Sequence, residues 1–214
     1  MVQLEVWGKY ALFSRPELSV ERVSYDVITP SAARGIIEAI YWHPGLKYKI
    51  NKIYVLNPIK FASVRRNEIK NKALASDARR AMTGQGKDIS VAAAPQIVQR
   101  SSLLLQNVHY IIEAEFTMTK NAAPSDSPAK FASILNRRME KGQCYHTPCF
   151  GCREFPVNFR PWSGGPIPTI DETRDLGLMA YDFDYTDPAA PVAMFFRAKM
   201  EHGVIDVKNS EVYR

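Results

Sequence analysis

Cysteine and histidine are scarce in this 214-residue chain, three and four residues respectively, and the cysteines fall in one stretch as Cys144, Cys149 and Cys152. An odd, bunched set of thiols builds no disulfide framework and suits a reducing compartment. Long apolar runs are missing too. Nothing approaches the roughly 18 residues that would mark a transmembrane helix. The opening MVQLEVWG alternates as a strand does and lacks the apolar region of a secretion signal. The expectation is a soluble, cytoplasmic protein with no membrane partner. What is present is ordinary globular material, 46% hydrophobic and 11% aromatic, enough for one large or two small domains with a real core.

Acids are the minority charge, 22 against 28 Lys and Arg. Their distribution matters more than the net +6. Residues 65–100 carry eight basic side chains against three acids, and residues 120–160 carry seven against three. The remainder is slightly acidic. A surface polarised in this way is what a phosphate backbone attracts.

The few thiols share the segment Lys141–Val157 with His146. Thiolates and imidazole are zinc ligands, but structural zinc sites separate two C-x(2–4)-C halves by a dozen or more residues. Here Cys144, His146, Cys149 and Cys152 lie within nine residues, and only Cys149 and Cys152 have a knuckle-like spacing. An i, i+2 pair in extended chain sets its side chains about 7 Å apart, too far for one ion. The segment therefore reads as a loop and strand that meet RNA, with no metal site and no cofactor. A Cys/His zinc protein is the alternative of a different class, and metal analysis separates the two.

Patterning predicts α+β. Val2–Trp7 alternates as a strand, and Thr29-Pro30-Ser31 opens a helix that runs to His43-Pro44. Tyr48–Ser63 reads as β, Asn67–Pro95 as a polar insertion with MTGQGKD at its tip, and Leu103–Thr119 as β again. Pro128 sits just inside a second helix that ends with Gly142 at C′, and Cys144–Phe159 is expected to be extended. The order β-α-β-insertion-β-α-β is that of a ferredoxin-like, RNA-recognition-type domain over residues 1–160, with the basic insertion at about 65–100. After Pro161, SGGPIPT looks like a linker. Three short strands follow, so residues 161–214 are expected to form a small antiparallel β domain packed on the first.

In order along nearly the whole chain stand LxxxGxYALFSRPE, TPSAARGIIEAIYWHP, IKFASVRRNEI, SSLLLQNVHYIIEAEF, AKFASILNRRMEKGQCYHTPCFGCREFPVNF and LGLMAYDFD to FFRAKMEHGVIDV. They resemble the CRISPR-associated fifth Cas protein of subtype I-C, the Dvulg variant of the RAMP superfamily. IYW, SxRRNE and GCREFP are the specific motifs. The resemblance implies an antiviral-defense endonuclease that cuts precursor CRISPR RNA within the repeat and stays on the 5′ handle. The partners it implies are CRISPR repeat RNA and the other subunits of the type I-C surveillance complex, with duplex DNA as a further partner.

Cutting RNA without a metal uses the adjacent 2′-hydroxyl as nucleophile and leaves a 2′,3′-cyclic phosphate and a 5′-hydroxyl. The protein must take the 2′ proton, stabilise the phosphorane and protonate the leaving oxygen. The resemblance assigns these roles to a tyrosine, here Tyr41, and to a Lys-His pair of which Lys130 is present. Phe131 occupies the histidine position. His146 is the first substitute for that imidazole and His43, two residues from Tyr41, the second; Lys130 acting alone would need a lowered pKa, helped by Arg137 and Arg138.

For RNA contacts the candidates are Arg65, Arg66, Arg137, Arg138 and Arg153, whose guanidinium forks suit phosphate. Tyr41, Trp42, Phe131, Tyr145, Phe150 and Phe155 offer rings for unstacked bases, although a core claims part of such a set. Asp171, Glu172, Asp175, Asp182, Asp184 and Asp187 would suit a divalent cation, and solvent-facing acids account for them equally. A non-catalytic subunit that binds the handle is the alternative to the nuclease.

Overall fold

Alternation builds the first strand. In β1 (Val2–Ala11) Val2, Leu4 and Val6 are buried on one face, while Gln3, Trp7 and Lys9 belong to the other. The computed structural model describes residues 1–18, 20–71, 74–85, 90 and 92–214. On one side β1 pairs with β4 (Ile97–Met118), Leu4 opposite Ile112, and on the other with β5 (Asn158–Pro161), Glu5 opposite Arg160. β2 (Leu46–Val55) adds to the far side of β4 with a bulge between Ile50 and Lys52. These pairs are all antiparallel, in the spatial order β5-β1-β4-β2.

The C-terminal strands continue the same sheet. β8 (Val204–Asp206) pairs with β2, Ile205 opposite Ile53, and is followed outward by β7 (Val192–Glu201) and β6 (Arg174–Asp184). β9 (Val212–Tyr213) pairs with β7. The architecture is α+β, a mostly antiparallel sheet with three helices.

Two helices pack on this sheet through stripes spaced at helical period. α1 (Pro30–Ile40) buries Ala33, Ile36, Ile37 and Ile40 and contacts β2 and β6. Thr29 caps it by accepting the Ala32 amide, and Pro30 fills N1, where no N–H is needed. α3 (Pro128–Glu140) buries Phe131, Leu135 and Met139 and contacts β5 and α1. Ser127 caps it through the Lys130 amide, and Gly142 takes the left-handed φ of 62° at C′.

Residues Ser63–Ser102 form a separate compact unit, described by itself. It holds most of β3 (Phe61–Ile69), which pairs with β4, then α2 (Ala75–Met82) and a 3-10 turn at Ala94–Gln96. α2 buries none of its residues. Lys72, Lys87 and the Gly86–Ile89 part of the insertion lie outside the described residues.

Four expectations are adjusted. α1 stops at Ile40, and Tyr41 is extended (φ −148°, ψ 115°). The cause is that Pro44 disfavours helix at His43, while side chains take the free carbonyls: Arg138 donates to Ile40 O at 2.7 Å and Tyr48 to Tyr41 O at 2.9 Å. The stretch Tyr48–Ser63 divides into β2 and β3 around Pro58. The insertion is partly regular, since β3 reaches Ile69 and α2 follows. Cys144–Phe159 is turn rather than strand apart from its last two residues and a single Cys149–Pro156 bridge. Gly151 explains the last, because its φ of 80° folds the chain back. A Cβ there would stand 2.0 Å from Leu12 O, and Leu12 N bonds Phe150 O at 3.0 Å.

Among the described residues no helix is long and apolar enough to cross a membrane.

Candidate active site

The end of α1, the turn after it, the loop after β4 and the first turns of α3 converge. Tyr41 caps α1 and is 7% exposed, with its ring 6.2 Å from that of Phe131 and under the Arg138 guanidinium at 5.0 Å. Arg138 thus holds the tyrosine twice, through its ring and through the neighbouring Ile40 carbonyl. Burial pushes the Tyr41 phenol above its ordinary range; Arg138 and Lys130 pull it back and Asp126 opposes them. Tyr41 is therefore a protonated phenol at neutral pH, able both to donate and to accept.

Lys130 stands at the third position of α3. Its ammonium donates to Asp126 Oδ1 at 2.9 Å, and Asp126 Oδ2 takes the Ala123 amide at 2.9 Å. These two bonds, that from Lys130 first, hold the Asp126 carboxyl below the usual carboxylate range. Only 4% of the Asp126 side chain is exposed, against 46% for Lys130. Lys130 is thus paired with an acid at its ammonium.

His43 joins the same group. Its ring centroid lies 5.0 Å from that of Phe131, and Nε2 is 4.0 Å from Asp126 Oδ2. Phe131 is 1% exposed, a core residue wedged between Tyr41 and His43.

His146 lies in an exposed turn. Its amide and that of Tyr145 both donate to Ala39 O, at 3.1 and 2.9 Å, which pins the turn to the last turn of α1. Its ring stands edge-on to Tyr145 at 4.4 Å. Of the ring candidates, Phe131, Phe150 and Phe155 are core, and Trp42 (57%) and Tyr145 (72%) are open to solvent.

Arg137 and Arg153 are exposed. In the other unit Arg65 is exposed and Arg66 half-buried.

The acids have partners of their own. Asp182 forms a bidentate pair with Arg34, Asp175 pairs with Arg197 at 2.5 Å, Asp171 with His202 at 2.6 Å, and Asp184 with Thr186 and Arg214. Among the described residues, no three of the His, Cys, Asp and Glu side chains gather to hold a metal. His109 belongs to the sheet, bonded to the buried Glu5 at 2.8 Å.

Sequence reading missed Asp126. Its signal was available: an acid just before the cap Ser127-Pro128 and four residues before Lys130. Arg138 was read as an RNA contact and as a neighbour lowering the Lys130 pKa, because nothing in the sequence brings it to the end of α1.

Similar proteins bear on this geometry. The family described as CRISPR-associated protein (Cas_Cas5) matches residues 1–208. The chain is 45% identical over 213 residues to a protein of Mannheimia succiniciproducens named CRISPR pre-crRNA endoribonuclease Cas5d, covering 96% of this chain and 94% of that one. It is 38% identical over 233 residues to a protein of the same name from Thermus thermophilus, covering 100% and 95%. Among solved structures, a CRISPR-associated protein superposes with a TM-score of 0.70 at 24% identity, over 100% of this chain and 96% of that one, which shows a shared fold.

Proposed function

Because the chain belongs to the CRISPR-associated Cas5 family, we propose that it cleaves precursor CRISPR RNA within the repeat, at the cluster of Tyr41, Lys130 and Asp126. The observation that carries this is the convergence of a phenol and a paired ammonium at one helix junction, Tyr41 at the end of α1 and Lys130 at the start of α3. The 2′ oxygen attacks phosphorus, the bond to O5′ breaks, and one proton passes in net from the 2′ to the 5′ oxygen. The products are a 2′,3′-cyclic phosphate and a 5′-hydroxyl, with no metal. Lys130 faces the phosphorane charge, and the Tyr41 phenol takes the 2′ proton as its own passes to solvent, from which His146 recovers the proton it gives to the leaving oxygen. His146 protonates the leaving oxygen. Its turn is pinned beside Ala39, two residues before Tyr41, and its ring nitrogens have no hydrogen-bond partner among the described residues.

The order β5-β1-β4-β2 with α1 and α3 as crossovers supports a ferredoxin-like reading of residues 1–160, with residues 161–214 as a β appendage. Arg137, Arg138, Arg153 and Tyr145 are the proposed RNA contacts of this part of the chain, and Arg65 and Arg66 those of the insertion. After cutting, the protein keeps the 5′ handle and docks the other subunits of a type I-C surveillance complex, with duplex DNA as a further ligand of its basic surface. The cytoplasm is the proposed compartment. The core position of Phe131 favours a second reading, a handle-binding subunit that does not cut.

One experiment separates them. The pure protein is incubated with repeat RNA in EDTA, and with RNA carrying a 2′-deoxy sugar 5′ of the cut. Cleavage of the first alone, with cyclic phosphate ends, is expected. Cutting of the deoxy RNA refutes the mechanism, and binding of the intact repeat without cutting selects the second reading.

A further inference from the structure

His43 is the one imidazole in contact with the core of this cluster, and its ring leaves no freedom in the placement of its proton. The Gly45 backbone N–H donates to His43 Nδ1 at 3.0 Å. A backbone amide is always the donor, so Nδ1 is the acceptor and the proton of the ring lies on Nε2. That Nε2 stands 4.0 Å from Asp126 Oδ2, beyond hydrogen-bond length. The carboxylate is already engaged by Lys130 and the Ala123 amide.

The setting is rigid. Thr119 N donates to Gly45 O at 2.9 Å and Thr119 Oγ1 to Pro44 O at 2.7 Å, which ties the His43-Pro44-Gly45 turn to the loop after β4. Gly45 allows this approach, since a Cβ there would stand 2.9 Å from the Ala122 backbone. Phe131 packs on the other side of the ring. The side chain is one-third exposed, 33%, so substrate reaches it while its orientation is fixed.

We infer that His43 is a further catalytic residue, a neutral imidazole that donates its Nε2–H to a non-bridging oxygen of the scissile phosphate while Lys130 binds the same group from across Asp126. This rests on the ribonuclease reading above. No proton leaves His43: a neutral N–H is a hydrogen-bond electrophile, and it strengthens as charge builds on the phosphorane. Asp126 orients the Lys130 donor, while the Gly45 amide and the Phe131 ring orient that of His43. His43 in this role complements the proton delivery given to His146.

Two variants separate donation from loop structure. His43→Asn keeps an acceptor for the Gly45 amide, as an Asx turn does, but is too short to bring a donor to the phosphate. His43→Gln restores a neutral N–H at greater reach. In single-turnover cleavage of repeat RNA, His43→Asn is expected to cut about 10²-fold more slowly with a melting temperature close to wild type, and His43→Gln to recover about ten-fold of that loss, as for one preorganised donor. The shape of the pH-rate profile is expected to stay that of wild type in both, because proton delivery is the part of His146 and no proton leaves His43. A His43→Asn protein that cuts at the wild-type rate or melts many degrees lower overturns the inference, as does loss of a limb of the pH profile, which would make His43 a proton donor. Wild-type protein that leaves the repeat intact fails the ribonuclease reading itself.

Discussion

Lys130→Ala tests the electrostatic core of the site. Unit charges 4 Å apart interact by about 4 kcal/mol at an effective dielectric of about 20. The lysine is 46% exposed, so solvent removes part of this and about 2.7 kcal/mol is left, a loss of about 10²-fold in rate, on the scale of one oxyanion donor. The structure adds a second effect. Asp126 loses its 2.9 Å partner, and an uncompensated carboxylate then repels the phosphate. Lys130→Ala combined with Asp126→Asn is therefore expected to cut roughly 3- to 10-fold faster than Lys130→Ala alone, a coupling normal for groups in contact. The assay is single-turnover cleavage of end-labelled repeat RNA in EDTA, with affinity measured separately by filter binding to the uncleavable 2′-deoxy RNA. Affinity should change little, since one phosphate contact is a small share of binding. Equal losses of rate and affinity would make Lys130 a binding residue, and a double variant no faster than the single one would refute the part given to Asp126.

Trp42→Ala removes a ring that is 57% exposed beside Tyr41, and RNA affinity is expected to fall about ten-fold through one lost base stack, with an unchanged thermal melt; unchanged affinity would make the ring a bystander. Glu5 is 3% exposed, and its carboxyl is held below its ordinary range first by the hydrogen bond from Arg160 and then by that from His109. A lowered folded pKa gives stability that is complete above the unfolded carboxylate range near 4.5 and is lost as pH falls through the folded value. Melting temperature is thus expected to drop below about pH 4.5 in wild type and less steeply in Glu5→Gln, which starts lower by about 1 kcal/mol; parallel curves would exclude Glu5 as a source of acid sensitivity.

The strands and helices were legible because their signals are local. Alternation in Val2–Trp7, the Thr29-Pro30 and Ser127-Pro128 caps, the apolar stripe of α3 and Gly142 at C′ each follow from backbone sterics and burial within a few residues. Family membership was legible for a related reason, since motifs such as IYW and GCREFP are read as contiguous strings. Tyr41 and Lys130 could be named from the sequence on that ground alone.

What the sequence left open were pairings over long separations. That Arg138 caps Ile40 across 98 residues, that a glycine in the cysteine-rich segment turns it under Leu12 instead of leaving it extended, and that Phe131 is core depend on which surfaces meet. The same holds for the imidazoles. The sequence set His146 before His43 as the substitute imidazole, and only the folded chain puts a backbone amide on the His43 ring and His146 in an exposed turn. Local propensity sets where a chain turns, and so determined the elements here. The donors and acceptors that fix a proton on one nitrogen come from distant residues, and only the packed tertiary structure brings them together.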